Sequence, residues 1–143
     1  MNSRALEALA ALVMALAIAL PEANSQAPAA KYRVVIQVSD ADPGKWNLAL
    51  SNAQNVQADL GKTNVEIEIV AYGPGIDMLT AESAARDRVS GAIDDGVIVV
   101  ACENTMRTRK LQRGDMLGGI GYVDAGVVEL MQKQRAGWAY IRP

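Results

Sequence analysis

One cysteine, Cys102, is the sole thiol of a 143-residue chain that contains no histidine. Those two counts decide much of the available chemistry. Without His, Ser-His-Asp and Cys-His catalysis are excluded, and so are zinc sites with His ligands. With one Cys there is no intramolecular disulfide and no CxxC redox or metal pair. A dithiol oxidoreductase needs a resolving partner within the chain and is excluded with them. A persulfide carrier needs only one sulfur, held as Cys-S-SH. A hydrolase or transferase built on Cys102 would lack a His base, leaving Lys or Asp to replace it. No metal site and no cofactor are expected.

The position of Cys102 bears on which chemistry it does. It follows the run Val97–Ala101 (VIVVA), apolar at every position, and precedes Glu103-Asn104-Thr105 and a basic helix predicted from about Met106 to Leu111. A strand apolar on both faces belongs in the middle of a parallel sheet covered by helices. Ligands collect at the carboxyl ends of such strands. A thiolate near a helix N-terminus is favoured by the backbone amides and the positive end of the helix dipole. Arg107, Arg109 and Lys110 would add positive field, and Glu103 would oppose it. The competing reading is a small buried hydrophobe, the usual fate of a lone Cys. Placement alone leaves both readings open.

The elements that would position this thiol alternate strand and helix. Arg33–Val38 (RVVIQV) is a β-branched run, followed by a helix capped by Asp42 with Pro43 at its first position. Trp46, Ala49, Leu50, Ala53, Val56 and Leu60 recur along that helix at helical spacing, and Gly61 stops it. In Asn64–Tyr72, Val65, Ile67 and Ile69 alternate with Glu66 and Glu68, which predicts one wet face and a place near the sheet edge. A second helix is predicted around Ala81–Asp94, with Ala85, Val89, Ala92 and Ile93 inward. A short strand is expected at Gly119–Val123. A last helix, capped by Asp124, carries Val127, Val128 and Met131 and is ended by Gly137, and a final strand covers Trp138–Ile141. The pattern gives a three-layer α/β/α sandwich around a mostly parallel five-stranded sheet.

The same carboxyl edge receives Ser39 and Asp40 from the first strand, Tyr72 and the Gly73-Pro74-Gly75 turn from the second, and Tyr122 from the fourth. The expected pocket around Cys102 therefore comprises Ser39, Asp40, Tyr72, Gly73, Asn104 and Thr105, with Arg107 and the amides of Asn104 and Thr105 supporting a thiolate. Other motifs carry less. Gly118-Gly119-Ile120-Gly121 enters a strand and reads as a turn, not a phosphate loop. Asp40 and Asp42 after the first strand repel phosphate, which argues against a flavin mononucleotide site. The cluster Arg107, Arg109, Lys110 and Arg113 reads as a solvated helix face or, more sharply, as an attractor for small sulfur anions or an acidic partner.

Composition is that of a single globular domain, 50% apolar and 21% charged. With 14 basic residues against 16 acidic ones, no nucleic-acid partner is expected. The first 25 residues read as a signal peptide. Arg4 precedes the uninterrupted apolar run Ala8–Leu20, Pro21 breaks it, and Ala23 and Ser25 supply small residues at a cleavage site before Gln26. Residues 26–30 form a flexible leader and residues 31–143 the mature domain. The expectation is a periplasmic protein of a Gram-negative cell, without a lipobox Cys and with no membrane span after cleavage. Met78, Leu79, Met116 and Leu117, in loop-like segments, are candidate exposed apolar residues for assembly.

The segments QVSDADPGKWNLALSNAQNVQADLG, VEIEIVAYGPG, VVACENTM, GIGYVDAGVVELMQKQ and GWAYIRP together resemble the DsrE/DsrF-like family, in its secreted subgroup, over Tyr32–Pro143. The resemblance implies the three-layer fold and a homo-oligomer, a trimer or hexamer. In sulfur-relay members of the TusD and DsrE type, a Cys after the third strand passes persulfide sulfur between proteins, and Cys102 occupies that place. The resemblance thus implies a sulfur donor or acceptor protein as partner. Against it stands the reading of a non-catalytic oligomeric binding or assembly module with Cys102 buried and inert.

Overall fold

The computed structural model describes residue 30 and residues 32–143; the signal peptide and nearly all of the leader read from the sequence lie outside the described residues. Five parallel strands, β1 (Tyr32–Val38), β2 (Val65–Ala71), β3 (Ile98–Cys102), β4 (Gly121–Val123) and β5 (Ala139–Ile141), form one sheet in the order β4-β3-β2-β1-β5. The helices are α1 (Pro43–Leu60), α2 (Arg86–Asp94), α3 (Glu103–Arg109) and α4 (Gly126–Arg135).

This order fixes the layers. The chain steps in one direction from β1 to β4, so right-handed crossovers place α1 and α2 on the same face. It then returns past β1 to β5, and the same handedness sends α4 to the opposite face. The larger core, with Ile36, Trp46, Leu50, Ile67, Ile69, Ile76, Leu79 and Val89, lies under α1 and α2. A smaller one, Val35, Val70, Val100, Leu130 and Trp138, lies under α4. The α/β/α fold read from the sequence is the fold observed, with every strand pair parallel.

Helix α1 forms as its sequence dictates. Asp42 Oδ1 accepts the Gly44 amide at 2.8 Å, Pro43 sits in the first turn, and Gly61 closes the helix at φ +86°. Trp46 anchors it below, its Nε1 donating to the Asp40 carbonyl at 2.7 Å.

Several expectations fail for identifiable reasons. β2 is the central strand, not one near an edge. Its glutamates do point away from the larger core, but that side is roofed by α4, and Glu68 is buried against Lys133 at 2.6 Å. Conversely, β3 is followed only by the three-residue β4 toward one edge. Helix α4 has one narrow buried line, Gly126 and Leu130; Val127, Val128 and Met131 are 54%, 45% and 58% exposed. Its predicted Asp124 cap is absent, because the N-cap is Ala125 and the Asp124 carbonyl is spent elsewhere.

Met78, Leu79 and Met116 are buried and Leu117 is half-buried. The Thr80–Met116 bridge and the Leu117 N–H to Leu79 carbonyl bond at 2.9 Å fold those segments into the core. Boundaries also shift: α2 begins at Arg86, α3 begins at Glu103, and β4 begins at Gly121.

Candidate functional site

Cys102 ends β3 and is the N-cap residue of α3. Its extended backbone turns Sγ back over the helix start, where Sγ accepts the Thr105 amide at 3.4 Å. The thiol lies 4.0 Å from the Asp124 carbonyl. That carbonyl also accepts the Asn104 amide at 3.1 Å, so the segment joining β4 to α4 closes over the sulfur. Cys102 is only 4% exposed.

Burial is the largest single influence on the thiol and pushes its pKa up. Hydrogen bonding from the Thr105 side chain and from the Gly126, Thr105 and Asn104 backbones together outweighs it, so the thiol stands below the ordinary cysteine value. A sulfur that is both enclosed and acidified is an arrangement suited to holding a thiolate, as metal-free thiol sites do with nearby amides.

The predicted residues divide into two groups. Tyr72, Gly73, Asn104 and Thr105 do converge near Cys102. Thr105 Oγ1 accepts the Gly73 amide at 2.9 Å, tying α3 to the turn after β2. Gly73 needs no side chain there and takes φ +53°. Tyr72 lies beneath Gly126, where an added Cβ would stand 2.9 Å from the Tyr72 Cβ. A cleft of about 300 Å³, lined by Gly73, Pro74, Asn104, Thr105, Thr108 and Arg109, opens beside this group. Arg109 is fixed at its rim by Asp77 at 2.8 Å.

Ser39 and Asp40 stand apart. β1 is two strands from β3, a lateral distance of roughly 10 Å at ordinary strand spacing. Ser39 Oγ accepts from Gln37 Nε2 at 2.9 Å. Asp40 pairs with Lys45 at 3.1 Å and Arg142 at 3.6 Å, and the Lys45 hydrogen bond leads the influences that lower its pKa. Arg107 is exposed and bonds Asn104 Oδ1. None of the three faces the sulfur through a hydrogen bond.

The pocket expected from the sequence does not include Asp124 and Gly126. The available signal was the adjacency of the β3 and β4 carboxyl ends: Cys102 registers with Val123, which places the next residues of β4 over the thiol. Among the described residues, no cluster of His, Cys, Asp and Glu could hold a metal ion.

The DsrE/DsrF-like family model matches residues 30–143. A solved protein of unknown function from Methanobacterium thermoautotrophicum is 39% identical, with 78% of this chain and 99% of that one covered at a TM-score of 0.75. A conserved protein of unknown function from Bacteroides thetaiotaomicron, 13% identical, covers 78% and 94% at a TM-score of 0.64. The ychN protein from E. coli, 14% identical, covers 78% and 99% at 0.60. At those last two identities the likeness is one of fold. No curated protein matches the chain. The match across the whole described domain, with the thiol at the carboxyl edge of a parallel five-stranded sheet, places this chain in the DsrE/DsrF-like family.

Proposed function

We propose that this protein is a sulfur carrier of the relay type, with Cys102 holding sulfane sulfur as a persulfide. One observation carries the reading: the only thiol of the chain ends an interior strand of the sheet with the Thr105 amide directed at its sulfur, and hydrogen bonding lowers its pKa despite burial. Family membership supports it.

The chemistry is two balanced exchanges. The Cys102 thiolate attacks the outer sulfur of a donor persulfide, the donor S–S bond breaks, and the donor leaves as a thiolate while Cys102-S-SH forms. An acceptor thiolate then takes the outer sulfur in the same way and restores the Cys102 thiolate. Neither exchange has a net oxidant, and neither needs His, a metal or a second Cys. The cleft beside Gly73, Asn104 and Thr105 is the approach for the donor, because Thr105 borders both the cleft and Sγ. Asn104 and Thr105 receive the incoming sulfur, while Ser39, Asp40 and Arg107 have no direct part.

The 4% exposure of Cys102 favours a second reading, an inert buried thiol in a non-catalytic assembly module. Incubation of the protein with a polysulfide or a persulfidated donor, followed by intact mass measurement, separates the two. A gain of one sulfur atom in wild type and none in Cys102→Ser supports the carrier. No gain in wild type, together with alkylation of Cys102 only on denaturation, supports the inert module.

Export to the periplasm and assembly of at least three copies belong to the same proposal. The first rests on Arg4, the Ala8–Leu20 run and the small residues Ala23 and Ser25. N-terminal sequencing of protein from a periplasmic extract is expected to begin near Gln26; an intact Met1 would overturn export. The second rests on the family and on the exposed Val127, Val128 and Met131 of α4.

A further inference from the structure

Glu68 is the one charged residue among the described residues whose whole side chain is buried, at 3% exposure in the middle of the central strand. Its Oε2 takes Lys133 Nζ at 2.6 Å, whereas its Oε1 is enclosed with no hydrogen-bond partner. Lys133 comes from the last turns of α4. Its Nζ also lies 3.5 Å from Glu129, one turn back, and 4.1 Å from the Trp138 ring centroid. Burial pushes the Glu68 carboxyl above its ordinary value, and Lys133 pulls against that.

A buried pair with one carboxylate oxygen left bare is a poor stabiliser. Well-packed apolar residues in its place are commonly neutral or better. Its geometry, however, does something apolar packing does less sharply: it fixes the register of α4 on β2. The opposite end of α4 is fixed to the same strand, where Gly126 meets Tyr72. From Gly126 to Lys133 the helix rises roughly 10 Å, and from Tyr72 back to Glu68 the strand spans about 13 Å. A lysine side chain reaches across that difference. The residues entering α4 are those that close over the thiol: the Asp124 carbonyl lies 4.0 Å from Sγ, and the Gly126 backbone is among the groups that lower its pKa.

We infer that Glu68 and Lys133 are positioning residues for Cys102, acting through α4: their ion pair clamps the helix to β2 in the one register that keeps the Asp124–Gly126 segment seated on the sulfur. The inference rests on the sulfur-carrier reading only in taking the Cys102 thiolate as the reacting group. A helix free to slide or tilt would withdraw the Gly126 amide, and the thiolate would lose one of the few donors that offset its burial.

The test reads the thiol directly, without requiring access to it. The ultraviolet absorbance of the thiolate is titrated with pH in the full-length protein and differenced against Cys102→Ser. Lys133→Arg, which keeps a cation at the clamp, is expected to titrate as wild type. The paired variant Glu68→Gln with Lys133→Met removes both charges of the clamp and leaves Glu129, its side chain 19% exposed, as the remaining charge there. It is expected to remain folded, with its titration midpoint raised by about half a unit or more, roughly a threefold loss of thiolate below the midpoint.

A folded paired variant titrating at the wild-type midpoint overturns the inference. So does a paired variant that cannot fold, because the pair would then be a stability element. These midpoints stand whether or not wild type accepts sulfur, so failure of the clamp and failure of the carrier reading are told apart.

Discussion

The Thr105 hydroxyl accepts the Gly73 amide at 2.9 Å while the Thr105 amide donates to Cys102 Sγ at 3.4 Å, so one residue joins the β2 turn, the first turn of α3 and the thiol. Two sheet-edge loops are thereby held in register by a side chain that also touches the sulfur. Replacement by Val keeps the shape and removes the oxygen.

Thr105→Val is expected to leave the Gly73 amide without its acceptor, at a cost of about 1–3 kcal/mol. It also removes a hydrogen bond that lowers the thiol pKa, so the Cys102 titration midpoint should rise. Denaturant unfolding and thiolate absorbance measure the two effects separately; an unchanged midpoint would show that the hydroxyl plays no part in acidifying the sulfur.

The thiol also makes stability depend on pH. Its folded pKa lies below the ordinary value, so the unfolded chain holds the proton to higher pH than the folded one. Unfolding free energy should therefore rise with pH between the folded and unfolded thiol pKa values, and the contribution is lost as pH falls through the folded value. Wild type should gain stability over Cys102→Ser on moving from neutral to alkaline solution. A difference constant across that range contradicts a lowered thiol pKa.

Two glycines should respond oppositely to alanine. At Gly75 a Cβ would stand 2.3 Å from the Val38 carbonyl oxygen, so Gly75→Ala forces the β2 turn away from β1. A loss of about 1–3 kcal/mol or more is expected. Gly91 lies within α2 with open space where a Cβ would go. Gly91→Ala should stabilise by about 1 kcal/mol. Urea midpoints of the two variants give the comparison.

For assembly, Val127→Asp with Met131→Glu places two charges on the exposed face of α4 without touching its buried Leu130. Light scattering is expected to show wild type as at least three copies and the variant as single protomers with unchanged circular dichroism. A wild type that is a single protomer across micromolar concentrations would end the assembly proposal.

Local signals were enough for the architecture. The β-branched run Arg33–Val38, the Asp42-Pro43 start and Gly61 stop, and the apolar VIVVA run each encode an element through short-range sterics, capping and burial. Their alternation encodes a parallel sheet, because a helix between two strands carries the chain back to the end where the next strand can start in the same direction. The position of Cys102 at the end of β3 was legible for the same reason, and with it the neighbours Asn104 and Thr105.

What tertiary structure decided was strand order and therefore lateral distance. Alternation along Val65–Ala71 shows two faces but not what covers the second one, so Glu68 read as wet when α4 roofs it. Ser39 and Asp40 reach the correct edge of the sheet, yet β2 stands between them and Cys102. Asp124 and Gly126 reach the sulfur because β4 pairs beside β3, a contact between residues more than 20 positions apart. Periodicity is a property of neighbours in the chain; which strands lie side by side depends on the packing of whole layers.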